Sequence, residues 1–286
     1  MADTMLTFSD QQLATQFLSI DQLREKCPMA FKTAPTNPKV TERYVHANTQ
    51  TVIDDFAKLG WYPVEAKQCR QKANSAGIRS FHMVAFQNEN VKILKNDGSG
   101  VVECYPRIIL TNSHDGFNSF KFMVGLFRLI CSNGLILGDK LADMSIRHIN
   151  YDFNELRHVV AASIEQVTKH IAAMNQMHRT MLTEDQKRSL AIQAIRLRKG
   201  VSENDQLKIN DDTINEVLTP RREEDATNSL WHVFNVIQEN LIKGGFQMPS
   251  ANGKMRKQRP IKGIVKDIDI NQKLFNCAEE YIEVAA

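Results

Sequence analysis

Past Gly60 the apolar residues of this chain change from strand to helical spacing, and that change constrains the fold more than any other feature. Between Trp61 and Asn112, short β-prone runs alternate with turn residues: WYPVEAKQCR, SFHMVAFQ, VKIL and VVECYPRIILTN, the last two joined through NDGSG. Runs of this length bounded by Gly, Asn and Asp read as strands, and the Asp-Gly between two of them reads as a hairpin turn. From Asp152 onward the spacing is helical. Leu156, Val160, Ile164, Val167, Ile171 and Met174 follow at steps of four and three. Such a stripe packs on another helix, within this chain or in a second copy. Strands first and helices after predict an α+β fold.

Further elements fit this frame. Thr49, Val52, Ile53, Phe56 and Leu59 form one face of a helix that stops at Gly60. FNSFKFMVGLFRLICSNG is expected to be a buried helix, Phe117–Cys131, with Phe120, Met123, Val124 and Phe127 on one side and Asn133-Gly134 as its stop. Thr183-Glu184-Asp185 opens a helix with acids in its first turn. Leu230, Phe234, Ile237 and Leu241 line another, ended by Gly244-Gly245, with Trp231 in the core or an interface and Asn235, Gln238 and Glu239 on a solvated or intersubunit face. DIDINQKLFNCAEEYIEVAA closes the chain as a short acidic helix. The expected architecture is an antiparallel β-meander packed on a buried helix, then a mostly helical C-terminal half. Its segments are residues 1–45, an arm with short helices punctuated by Pro28, Pro35 and Pro38; 46–150, sheet plus core helix; 151–243, helical; and 244–286, basic loop and closing helix.

Composition excludes several functional classes. With 286 residues, 42% of them hydrophobic, the chain builds a core without disulfides or metal staples. Its five cysteines include no C-x-x-C pair and no zinc spacing, so neither a secreted disulfide framework nor a metal is expected, and Cys131 reads as a small buried hydrophobe. No apolar run approaches the ~20 residues that span a bilayer, and MADTMLTFSDQQ lacks the basic and apolar regions of a secretory signal. No phosphate-loop, dinucleotide or H-x-x-x-H motif is present. Neither cofactor nor catalysis is expected, and the expected compartment is a reducing one, the cytoplasm.

Charge is balanced overall, 36 Lys+Arg against 33 Asp+Glu, but unevenly spread. From Lys243 to Lys266 there are seven basic residues (Lys243, Lys254, Arg256, Lys257, Arg259, Lys262, Lys266) and no acid, in a Gly/Pro/Ser/Asn-punctuated stretch expected to be a mobile loop. Such a stretch is either a solvated loop or a phosphate contact, where Lys and Arg give sequence-independent affinity by counterion release. A second group, Lys67, Arg70, Lys72 and Arg79, lies on the first hairpin beside Tyr62 and Phe81, aromatics able to stack bases or to serve as core.

Two polar features interrupt the apolar middle. Asn112, Ser113, His114 and Asp115 precede Gly116. They suit a strand-to-helix turn, an anion site at the helix N-terminus, or a catalytic or metal-binding cluster. Arg128 sits among apolar residues, so it is either paired structurally or in contact with phosphate.

The string PRIILTNSHDGFNSFKFMVGLFRLICSNGLI, with TNSLWHVFNVIQENLIKGG downstream, resembles the family catalogued as domain-of-unknown-function 932. The likeness rests on Asn112–Gly116, on Gly125, Arg128, Cys131, Asn133 and Gly134, and on Trp231, Asn235, Gln238 and Glu239, and it spans about residues 40–245. The resemblance implies an association with phages and mobile plasmids, among genes for DNA maintenance and defence evasion, and brings no catalytic role. In element order alone, an antiparallel sheet followed by a helix packed on it, with basic side chains nearby, also resembles phage single-strand annealing proteins, which form rings or filaments that hold single-stranded DNA in a basic groove. The expectation is therefore a non-enzymatic, homo-oligomeric DNA-binding protein in a bacterial host, preferring single strands and acting in replication, recombination or DNA protection. The alternatives are an anti-defence or host-enzyme inhibitor acting on a host protein, and a hydrolase built on His114 and Asp115.

Overall fold

A computed structural model of the chain describes residues 6–8, 17–41, 44, 46–70, 78–95, 98–118, 120–128, 133–137, 153–201, 207–250 and 254–284. Two compact units divide it, residues 1–169 and 170–286. In the first unit the strands are β1 (Leu6–Phe8), β2 (Tyr62–Gln68), β3 (His82–Gln87), β4 (Val91–Leu94), β5 (Val102–Asn112), β6 (Lys121–Arg128) and β7 (Asn133–Leu137), in one antiparallel sheet. The longest, β5, is its spine. β3 and β4 run in succession along one edge, from His82 opposite Asn112 to Ile93 opposite Cys104. β6 runs along the other edge, and β7 follows it. β2 flanks β3 and β1 flanks β4.

Strand alternation places Val84, Phe86, Ile108, Leu110 and Phe122 in a single buried cluster. Packed in it are Val52, Ile53 and Phe56 of a helix spanning Thr49–Lys58. That helix is α2; α1 (Ile20–Lys26) precedes it, and Leu23, Cys27 and Ala30 join the same core. Asn48 caps α2 by accepting the Gln50 N–H, and Gly60, at φ +77°, turns the chain into β2. Phe56 stacks on Phe86 at 4.1 Å and meets Phe122 edge-on at 5.8 Å.

The α+β class is as expected, but the buried helix is α2. The stretch anticipated as a helix over Phe117–Cys131 is a turn followed by β6. Phe120, Met123, Val124 and Phe127 fall at helical steps, yet Phe122, Val124 and Leu126 fall equally at strand steps. A short apolar run satisfies both periods. Here the free edge of β5 decides, pairing with β6 from Thr111–Lys121 to Cys104–Arg128. Asn133-Gly134 opens β7 instead of stopping a helix. Cys131 lies outside the described residues.

The boundary between units falls within α3 (Phe153–Arg179). Leu156 and Val159 enter the core of the first unit, and Ile171 and Met174 are buried as well. The apolar stripe of this helix is thus largely covered within the chain. The second unit adds α4 (Glu184–Lys199), α5 (Asp211–Leu218), α6 (Leu230–Lys243), a hairpin of β8 (Gln247–Pro249) and β9 (Met255–Lys257), and α7 (Ile264–Val284). Side-chain caps from Thr183, Asn210 and Ser229 start α4, α5 and α6. Leu190, Ile195, Trp231, Phe234, Ile237, Leu274 and Phe275 are buried there. α7 is longer than anticipated and begins inside the basic stretch.

The face of α6 expected to be solvated is buried. Arg222 forms a fork on Glu239, whose carboxylate also takes Lys243, while Gln238 donates to Asn271 at 2.6 Å and Asn235 to the Trp231 carbonyl at 2.7 Å. Burial raises the proton affinity of Glu239, but Arg222 and Lys243 outweigh it and hold the carboxyl below its ordinary range. Among the described residues, no helix is long and apolar enough to cross a membrane.

Candidate nucleic-acid interface

The basic stretch is held in place, in its described part, by the end of α6. Gly244 has φ +65°, and a Cβ there would lie 2.6 Å from the Gln258 carbonyl oxygen. Only glycine lets the two backbones approach so closely. Beyond it, the Gly245 N–H donates to Gln258 O (2.9 Å), Gln258 N–H to Phe246 O (2.9 Å) and Ile261 N–H to Ile242 O (2.8 Å). The stretch anticipated as a mobile loop is therefore a pinned hairpin, with Gln247 opposite Lys257 and Pro249 opposite Met255. Arg198, at the end of α4, donates to the carbonyls of Leu241 and Arg259, with its guanidinium 5.4 Å from the centre of the Phe246 ring. The neighbouring Lys199 ammonium donates to Gln258 Oε1 at 3.2 Å.

The result is an open groove of about 770 Å3 lined by Arg198, Lys199, Arg256, Lys257, Arg259, Ser250 and Gln258. Five lining side chains are cations and none is a carboxylate. Partial burial lowers the proton affinity of Lys199, and the nearby charges of Arg198 and Lys266 lower it further. Burial likewise pulls Arg198 down. Like charges crowded in a concave surface focus positive potential, which an anion relieves. Lys254 and Lys262 are exposed on the same segment but outside the lining. Arg198 and Lys199 escape a reading of the basic stretch alone; their signal is the cationic last turn of α4, RLRKG.

The other basic group belongs to the first unit. Lys67 is paired with Glu65 at 2.7 Å. Arg70 and Arg79 are exposed where the β2–β3 ladder runs out, and Lys72 lies outside the described residues. Tyr62 contacts Phe17, ring centres 5.1 Å apart, and Phe81 is half-buried.

Asn112, Ser113, His114 and Asp115 are all buried. They form a turn between two strands, β5 and β6, so the strand-to-helix turn is corrected and the alternative of an anion site at a helix N-terminus there falls with it. Asp115 accepts the backbone N–H groups of Ser80 and Phe117, both at 3.0 Å. The Ser80 hydroxyl accepts the His114 N–H, and Thr36 N–H donates to the His114 carbonyl. Asn37 and Tyr44 close over the turn by donating to the carbonyls of Asp115 and Ser113. A chain of donors runs from Asn112 Nδ2 to Thr49 Oγ1 (2.9 Å) to His82 Nε2 (2.8 Å), while His82 Nδ1 donates to Ser80 O (2.6 Å). Burial pushes the His82 imidazole down to about 4, which keeps it neutral, and burial beside Asp115 pushes the Tyr44 phenol up to about 12. The rings of His46 and His82 stand 4.4 and 5.0 Å from that of His114. Among the described residues, no three His, Cys, Asp or Glu side chains are grouped to hold a metal ion. Arg128 is buried at the end of β6, between Cys104 and Asn133 in the ladder.

The family model described as "Domain of unknown function (DUF932)" matches residues 38–274. The chain belongs to this family. Its DUF932 region takes in both the buried turn and the groove. Two proteins of Escherichia coli (strain K12), UPF0380 protein YafZ and UPF0380 protein YfjQ, are each 29% identical to it over 281 residues, covering 94% of this chain and 97% of theirs. No solved structure matches significantly.

Proposed function

We propose that this DUF932 protein is a non-enzymatic DNA-binding protein that prefers single strands and acts in replication, recombination or DNA protection, in the cytoplasm of a bacterial host. The observation that carries this reading is the groove: five cations from α4 and the β9 segment converge on one concave surface without a carboxylate among them. Cations so placed bind phosphates and release counterions, which gives affinity without base recognition. The association with phage and plasmid genes of DNA maintenance, implied by the family resemblance, supports the setting. The α3 stripe gives the expected homo-oligomer no support, because Leu156, Val167, Ile171 and Met174 are buried in the chain, and the Pro-rich arm is the remaining argument for it.

The test is anisotropy of labelled oligonucleotides across a salt series. For wild type, log K should fall linearly with log salt. Changing Arg256, Lys257 and Arg259 together to Ala should flatten that slope by about two units for a single strand, at about 0.7 per lost phosphate contact. Unchanged affinity and slope in the triple variant, or no binding by wild type at low salt, overturns the proposal. A host protein then becomes the leading partner.

A further inference from the structure

Phe117 was expected inside a buried helix and is 72% exposed. It stands on the turn that closes the buried network, and the residues on either side of it are fixed. Its own N–H is held by Asp115 Oδ1 at 3.0 Å. Asn118 N–H donates to the Ser113 hydroxyl, which donates back to the Asn118 carbonyl, both at 3.2 Å. Gly116, at φ +77°, packs so closely that a Cβ there would meet Val40 Cγ1 at 3.0 Å. An exposed aromatic ring on a pinned backbone has already lost much of the conformational entropy that binding would otherwise cost.

Three cations stand on segments linked to the turn by hydrogen bonds. Arg79 adjoins Ser80, whose N–H and hydroxyl hold Asp115 and His114. Arg70 lies across the same ladder, next to Cys69, whose N–H donates to Phe81 O at 2.8 Å. Lys39 donates its N–H to Asn37 Oδ1, and Asn37 in turn donates to Asp115 O. Arg70, Arg79 and Lys39 are exposed, whereas the carboxylate of the turn, Asp115, is buried and occupied by two backbone N–H groups. An exposed ring with cations on the adjoining segments is a combination that stacks an unpaired base while its phosphates are neutralised.

We infer that Phe117 is a base-stacking contact for single-stranded DNA, in a second contact region on the first unit. The inference rests on the DNA-binding reading above and supplies its preference for single strands, since paired bases present no open face to a ring. F117W turns the site into its own reporter, because the native Trp61 and Trp231 are only 2% and 1% exposed. Adding oligothymidylate should quench the new indole. Phe117→Leu, which keeps an apolar side chain but removes the ring, should weaken single-strand binding about five- to a hundredfold, and Phe117→Tyr should restore it. Duplex affinity should change by less than about twofold. Circular dichroism should show all three variants folded. A wild type that binds oligonucleotide while F117W stays unquenched, or while Phe117→Leu binds equally well, overturns the inference and leaves the groove reading intact. A wild type that binds no oligonucleotide removes both.

Discussion

The Asn112–Asp115 turn and the groove beside β9 are both dense in polar side chains, yet they differ in every physical respect. In the turn, buried groups consume one another: Asp115 takes two backbone N–H groups, His82 is neutral between Thr49 and Ser80, and Tyr44 and Asn37 cover the carbonyls. In the groove, the exposed Arg256, Lys257 and Arg259 stand with Lys199 and the buried, carbonyl-held Arg198, and no lining carboxylate neutralises them. A saturated polar cluster specifies a backbone path. An unneutralised one is a surface in search of counter-charge. The richer motif in sequence is thus the architectural one, and the plainer charge run is the candidate site.

Substitutions should separate the two regions, and the largest effect is expected in the turn. Asp115→Ala strands the N–H groups of Ser80 and Phe117 and should cost about 3–5 kcal/mol, read by urea unfolding. A loss below about 1 kcal/mol would mean that the network does not hold the fold.

Acid should attack the same region through His82. With its pKa depressed from 6.5 to about 4, the native state resists a proton that the unfolded chain accepts. Stability from this group is complete above pH 6.5 and disappears as pH falls toward 4. The loss is about 3 kcal/mol, because each tenfold difference in proton affinity between the folded and unfolded chains is worth about 1.4 kcal/mol. His170, also pushed to about 4 by burial, adds a similar slope in the second unit. His82→Asn should therefore remove about 3 kcal/mol of the stability loss between pH 7 and pH 4, measured as unfolding free energy. An unchanged pH profile in that variant would show that His82 is not kept neutral by burial.

Gly244→Val tests the backbone that builds the groove. Its Cβ would collide with the Gln258 carbonyl at a positive φ, so a loss of about 2 kcal/mol is expected together with weaker oligonucleotide binding. Normal stability and normal affinity would show that the hairpin does not depend on that close approach.

The same two regions differ in how far the sequence reveals them. Helix α2, the β3, β4 and β5 strands and the helical second half are legible because their periodicity is local and their turns carry Gly, Asn and Asp. The Phe120–Arg128 run misleads because its apolar residues satisfy both periods, and the arbiter, the edge of β5, lies in the tertiary structure. Asn235, Gln238 and Glu239 look solvated in sequence because their partners Asn271 and Arg222 come from other elements. For the groove, Arg256, Lys257 and Arg259 stand out as a charge run. Arg198 and Lys199 do not, since only the packing of α4 against α7 and α6 brings them there.

The smallest stability effect belongs to the groove, and it accompanies the decisive measurement. Arg256, Lys257 and Arg259 changed together to Ala should alter unfolding free energy by less than about 0.5 kcal/mol, because exposed charges contribute little to folding. The salt dependence of single-strand binding should be compared among wild type, this triple variant and Ser113→Ala, whose change lies in the buried turn. The expected result is a slope flattened by about two units in the groove variant and unchanged in the turn variant. A slope that fails to move in the groove variant, or that moves as far in the turn variant, would contradict the assignment of phosphate contact to the groove cations and of architecture to the buried groups of Asn112–Asp115.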